Sequence, residues 1–172
     1  MADFHTGFCQ NGRPSDTVLA DPVFGICDDP TLPGAVPEPA YINTNLAEEA
    51  SWIAKVNNQA GYKVTFKPVD HCILVLKGNN QLQKRCDGIL FYNSKLIFVE
   101  LKEQRDPSRK WASEGAEQVK QTIKDYQAAH STAGLTIRAH VANRIQPNVQ
   151  QAHFSIIQNF SKALRIPLRI EG

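Results

Sequence analysis

Long apolar runs are missing from this sequence. No stretch of its 172 residues approaches the ~20 apolar positions that span a bilayer. The opening MADFHTGFCQNGRP has no basic segment leading into an apolar one, so a secretory leader is not expected and a cytoplasmic location is. A strong charge of either sign is also missing, since 19 Lys and Arg stand against 17 Asp and Glu. That +2 balance does not by itself imply nucleic-acid binding, but it spares the chain the repulsion an acidic protein meets near phosphates. Cysteine is sparse, with four residues at positions 9, 27, 72 and 86 and no CxxC pair. They read as reduced thiols, two disulfides being the alternative for a secreted protein. His5, Cys9 and Cys27 would begin a zinc site, but no fourth ligand follows at a compact spacing. There is no internal repeat, low-complexity tract, phosphate loop or dinucleotide fingerprint.

What is present fits one folded domain: 42% hydrophobic and 21% charged residues, in a length that suits a single core. Residues 1–40 stand apart. They hold six of the ten prolines, which fix φ and remove donors. They also hold Phe4, Phe8, Val18, Leu19, Val23, Phe24 and Ile26, which a solvated tail would not need. The segment is expected to be an irregular arm packed on a body formed by residues 41–172.

Along that body the apolar spacing of Leu46, Ala50, Ile53 and Val56 predicts a helix over residues 45–60, opened by an Asn45–Glu48 capping box. Glu49 lies at the edge of that stripe and would face the body. Strand-like runs follow at residues 62–67, 72–76, 86–92 and 95–102, then a polar loop over 103–111. A second helix is expected over 114–129, with Ala116, Val119, Ile123 and Tyr126 inward. A strand over 135–142, a helix over 155–164 and a strand over 167–170 complete the chain. The expected fold class is α/β, a small mixed central sheet flanked by helices.

The chemistry lies in RCDGILFYNSKLIFVELK, residues 85–102. If Asn93 and Ser94 form a two-residue hairpin turn, paired residues have numbers that sum to 187, which sets Asp87 across from Glu100. Strand period two puts Lys102 on the same face and Leu101 on the other. Two carboxylates this close, losing hydration, need a proton or a cation between them. Mg2+ (or Mn2+) suits two carboxylates plus water and phosphate oxygens. Lys102 is a poor ligand but can orient a water or counter charge on phosphorus. The carbonyl of Leu101 is a further candidate ligand, and Glu49 could reach metal-bound water.

Asp87, followed after twelve residues by Glu100, Leu101 and Lys102, resembles the core motif of the PD-(D/E)xK nuclease superfamily. The resemblance covers somewhat over half the chain. It implies a restriction-endonuclease-like core (α-β-β-β-α-β), here with a C-terminal helix and strand, and metal-dependent hydrolysis of phosphodiester bonds. DNA is the implied substrate, with RNA as the other candidate, and a homodimer is one way to cut both strands. It also implies an acid on the first helix, for which Glu49 is the match, and in some branches a glutamine on the second, for which Gln118 or Gln121 would answer. Cys86 stands where the family name has proline. Arg85, Arg105, Arg109 and Lys110 cluster near the hairpin end as candidate phosphate contacts. Gln118, Lys120 and Lys124 on the second helix are further candidates. Trp111 would be a base platform or a core anchor. The competing reading is a catalytically inactive module of the same fold that binds nucleic acid or protein.

Overall fold

The computed structural model describes residues 2–105, 110–145 and 153–171. In chain order the elements are β1 (Thr17–Leu19), β2 (Val23–Cys27), β3 (Tyr41–Asn43), a 3-10 turn (Leu46–Ser51), β4 (Ala54–Asn57), β5 (Val64–Pro68), β6 (Gly88–Tyr92), β7 (Lys95–Lys102), α1 (Lys110–Ala129), β8 (Thr136–Asn143), α2 (Phe154–Leu164) and β9 (Leu168–Glu171). A six-stranded mixed sheet runs β1-β5-β6-β7-β8-β9, and a smaller sheet runs β3-β2-β4. Strands β5, β6 and β7 form an antiparallel meander. Strands β7, β8 and β9 are parallel neighbours, so each step between them needs a crossover, supplied by α1 and then α2. No helix among the described residues is long and apolar enough to cross a membrane.

Each face of the large sheet has its own core. On the helix side Leu96, Phe98, Val119, Ile123, Val141 and Phe160 meet. On the other side Phe24, Phe66, Leu90, Val99 and Leu101 meet under the small sheet. Strand β7 therefore sends alternate side chains into two layers, as its period requires. The β6–β7 register is the one expected, with Gly88 opposite Val99 and Tyr92 opposite Lys95. The turn residues Asn93 and Ser94 both have positive φ, 43° and 57°, the requirement of a tight hairpin turn.

Several expectations are corrected. The helix over 45–60 is not formed. Asn45 does accept from the N–H of Ala47 and donates to Glu48, but only the six-residue 3-10 turn follows. Residues 54–57 instead pair with β2, and Leu46 is exposed. Edge pairing of a β-rich run outweighs a helical pattern when a partner strand is in reach. No strand forms over 72–76; this stretch is a turn that leads to an isolated bridge between Leu76 and Leu82. The N-terminal segment is not wholly irregular, since β1 extends the large sheet and β2 is the middle of the small one. Helix α1 begins at Lys110, earlier than predicted. Cys9 and Cys72 form a disulfide, while Cys27 and Cys86 are free and buried. The disulfide removes Cys9 from any zinc set.

Candidate active site

Strand β7 lies inside the large sheet between β6 and β8 and is buried over most of its length. Its last turn of the pleat places Glu100 and Lys102 on the side facing α1. Glu100 is 1% exposed. Lys102 Nζ lies 2.6 Å from Glu100 Oε1 and donates to Gln118 Oε1 at 2.9 Å. Gln118 in turn donates from Nε2 to the carbonyl of Arg85 at 3.1 Å. The glutamine on α1 thus spans the two halves of the motif, while Gln121 bonds Asp125 instead. The helix comes this close because residue 115 is glycine. A Cβ there would lie 2.8 Å from Val141 Cγ1 and 3.3 Å from Glu100 Cγ.

Asp87 precedes β6, and its Oδ2 accepts from the N–H of Leu101 at 2.6 Å. Burial pushes its carboxyl up to about 7, partly offset by that N–H, and the nearby Asp28 raises it further. Glu100 is pushed well above the usual carboxylate range, first by burial and then by Asp87, with Lys102 working against both. Glu100 Oε2 is buried with no hydrogen-bond partner. A buried carboxylate oxygen left so has lost hydration without replacement. Such an atom beside a second acid is where a hard cation would be held, so the residues present fit magnesium. Among the described residues, no group of three His, Cys, Asp or Glu side chains is arranged to hold a metal ion. The oxygen set here is two carboxylates, to which water and phosphate would add.

Other candidates are placed differently. Glu49 is exposed and pairs with Lys55 at 2.6 Å, on the 3-10 turn rather than a body-facing helix. Arg85 is not a phosphate contact. It is 6% exposed, grips Asp70 Oδ1 through Nε and Nη2 at 3.0 and 2.6 Å, and donates to the carbonyl of Ile73. Trp111 is 2% exposed and packs edge-on against His153, which makes it a core anchor rather than a base platform. Arg105, Lys110 and Lys124 are exposed, and Lys120 pairs with Glu117 on its own helix. Arg109 lies outside the described residues.

Two acids were not singled out from sequence. Asp70, in the turn before Cys72, adds negative potential at both Asp87 and Glu100. Asp28 follows β2 and has a carboxyl raised first by burial, with Asp70, Asp29 and Glu103 raising it further and His71 working the other way. The available signal for Asp28 was its place directly after the apolar run VFGIC, which carries a carboxylate to a strand end. Comparison with known families, curated proteins and solved structures finds no match for this chain.

Proposed function

We propose that the protein is a divalent-metal-dependent nuclease with a restriction-endonuclease-like core, and that DNA is its substrate. The observation that carries this reading is the unpartnered, buried Glu100 Oε2 beside Asp87. The β-β-β-α-β order of residues 64–143 supports it, as does the meeting of Lys102 with Glu100 and Gln118. Among the described residues the first helix of the family core is absent, and Glu49 stands on an exposed 3-10 turn instead.

Asp87 and Glu100 would hold the ion, with the Leu101 carbonyl as the further candidate ligand. When bound, magnesium supplies a Lewis acid for the phosphate and a more acidic water. The protein's own groups do the remainder. Lys102 is held by Glu100 and Gln118, so its ammonium is positioned before substrate arrives. It orients the attacking water and counters charge that grows on the phosphate oxygens. Burial of Asp87 and Glu100 keeps bulk water from screening these interactions. Arg105, Lys110, Lys120 and Lys124 contact backbone phosphates, which gives affinity without sequence readout.

The test is cleavage of supercoiled plasmid, branched DNA, single-stranded DNA and RNA with magnesium, manganese or EDTA. Loss on chelation, and loss in Lys102→Ala with the fold intact, is the expected result. Cleavage that survives Asp87→Ala would overturn it. One observation favours the rival reading of a binding module: the Lys102 ammonium already pairs with Glu100 without a metal ion. Calorimetric titration of manganese into wild type and Glu100→Ala separates the two, since a module shows no metal binding with nucleic acid present.

A further inference from the structure

The disulfide joins Cys9 to Cys72 across 63 residues. Cys9 belongs to the N-terminal segment that carries Phe4 into the core, 1% exposed, with its ring beside Tyr126. Cys72 belongs to the turn over residues 69–73. That turn is tied to the candidate site from several directions. The N–H of Val69 donates to the carbonyl of Asp87 at 2.8 Å. Arg85, two residues before Asp87, binds Asp70 and the carbonyl of Ile73. The N–H of Gln10 donates to the carbonyl of Cys72 at 3.0 Å. Within the turn His71 has φ of 57°, a left-handed conformation that is uncommon for a residue with a Cβ.

We propose that the Cys9–Cys72 disulfide is a redox latch that holds the turn bearing Asp70 against Asp87. Its effect on cleavage rests on the nuclease reading; its effect on the turn does not. Reduction by a dithiol breaks the bond in two exchanges. A dithiol thiolate attacks one cysteine sulfur and releases the other as a thiolate. The second dithiol sulfur then attacks the mixed disulfide and releases the remaining cysteine. The dithiol gives up two electrons and leaves as a cyclic disulfide, and its two protons end on Cys9 and Cys72. Cys9 sits between exposed Phe8 and Gln10, so a small lift of the segment admits the reductant. Cys27 and Cys86 are buried, unpaired thiols and remain spectators. Once reduced, the N-terminal segment keeps its apolar anchor at Phe4, but the turn loses its covalent restraint.

The experiment is hydrogen exchange read by mass spectrometry on oxidised wild type, dithiol-reduced wild type and Cys9→Ser. Plasmid cleavage with magnesium is followed in parallel. Reduction and the substitution are expected to speed exchange about ten-fold over residues 69–73 and 85–88, and to slow cleavage by a similar factor. The reduced wild type carries the test if Cys9→Ser does not fold. Faster exchange confined to residues 2–13, or no change at all, overturns the latch. Cleavage that is measurable and equal in both redox states overturns it as well. Faster exchange at 69–73 and 85–88 with no cleavage in either state upholds the latch and counts against the nuclease reading alone.

Discussion

The carboxylate of Asp87 accepts a 2.6 Å hydrogen bond from the main-chain N–H of Leu101. This bond links the acid before β6 to the middle of the Glu100-Leu101-Lys102 run on β7. It uses one carboxylate oxygen and does so along the backbone, so the acid's position does not depend on a flexible partner. The cost is a carboxylate held out of water beside a second acid.

That cost yields the first prediction. Asparagine keeps an oxygen for the Leu101 N–H and removes the charge. Burial raises the Asp87 carboxyl to about 7, above its unfolded value. A raised carboxyl contributes stability that is whole below the unfolded pKa and is lost as pH rises through the folded one. Wild type in EDTA therefore lacks that stability at pH 8. Asp87→Asn should be more stable than wild type there by about 1–3 kcal/mol, and by much less at pH 5. Millimolar magnesium should raise the melting temperature of wild type and leave that of Asp87→Asn unchanged. Scanning fluorimetry with and without magnesium reads both effects.

The second prediction concerns the helix above the site. Alanine is favoured over glycine inside a helix by about 1 kcal/mol. At Gly115 that gain is opposed, because the new methyl would sit 2.8 Å from Val141 Cγ1, a fully buried side chain on β8. Overpacking costs about 1–3 kcal/mol. Gly115→Ala should therefore lower the melting temperature by roughly 2–5 °C. It should also slow cleavage, since the same methyl presses on Glu100 Cγ. A melting temperature equal to or above wild type would show that the helix can move away without penalty.

The hairpin was legible from sequence because its determinants are local. Asn93 and Ser94 set the turn, and alternation sets which residues share a face. The inner face of α1 was legible for a similar reason: Ala116, Val119, Ile123 and Tyr126 recur at helical spacing and all are buried. The failure at residues 45–60 has the opposite origin. Ile53 and Val56 fit a helix equally well, but Ile53 donates its N–H to Ile26 and Val56 pairs with Phe24. Those partners lie about thirty residues away, and periodicity does not sense them. The same holds for the disulfide and for Asp28 and Asp70, which reach the site on a strand end and a turn. Glu49 was assigned by its place on a helix, and without the helix it faces solvent.

The third prediction tests how the N-terminal segment is held. The N–H of Phe4 donates to His130 Nε2 at 3.2 Å, which requires that nitrogen to be unprotonated. The His5 ring lies 4.1 Å from that of His130. Burial, then His5, lowers the His130 pKa below its ordinary 6.5, while Asp3 works the other way. The unfolded chain therefore takes up the proton first. Stability is whole above pH 6.5 and is lost as pH falls below it toward the lower folded value. Between pH 7.5 and 5.5 wild type should lose on the order of 1 °C more in melting temperature than His130→Gln, whose amide oxygen still accepts from Phe4. Protease cleavage within residues 2–13 should rise over the same window in wild type alone. Parallel pH curves for the two proteins would refute this.

The fourth prediction separates two arginines that sequence placed in one basic cluster. Arg85 is buried against Asp70 and the Ile73 carbonyl; Arg105 is exposed. Arg85→Met leaves a buried carbonyl without its donor and Asp70 without its cation. It should cost about 2–4 kcal/mol of stability. Below its melting temperature it should not change the salt dependence of DNA binding, because the guanidinium never reaches a phosphate. Arg105→Ala should do the reverse. Its melting temperature should stay within about 1 °C of wild type. The slope of log K against log salt should become shallower by about 1, the loss of one phosphate contact. Both are read from thermal melts and from fluorescence anisotropy across a salt series. If Arg85→Met flattened the salt slope while the protein stayed stable, the guanidinium would have to leave Asp70 for the nucleic acid. The turn over residues 69–73 would then be part of the binding surface rather than its support.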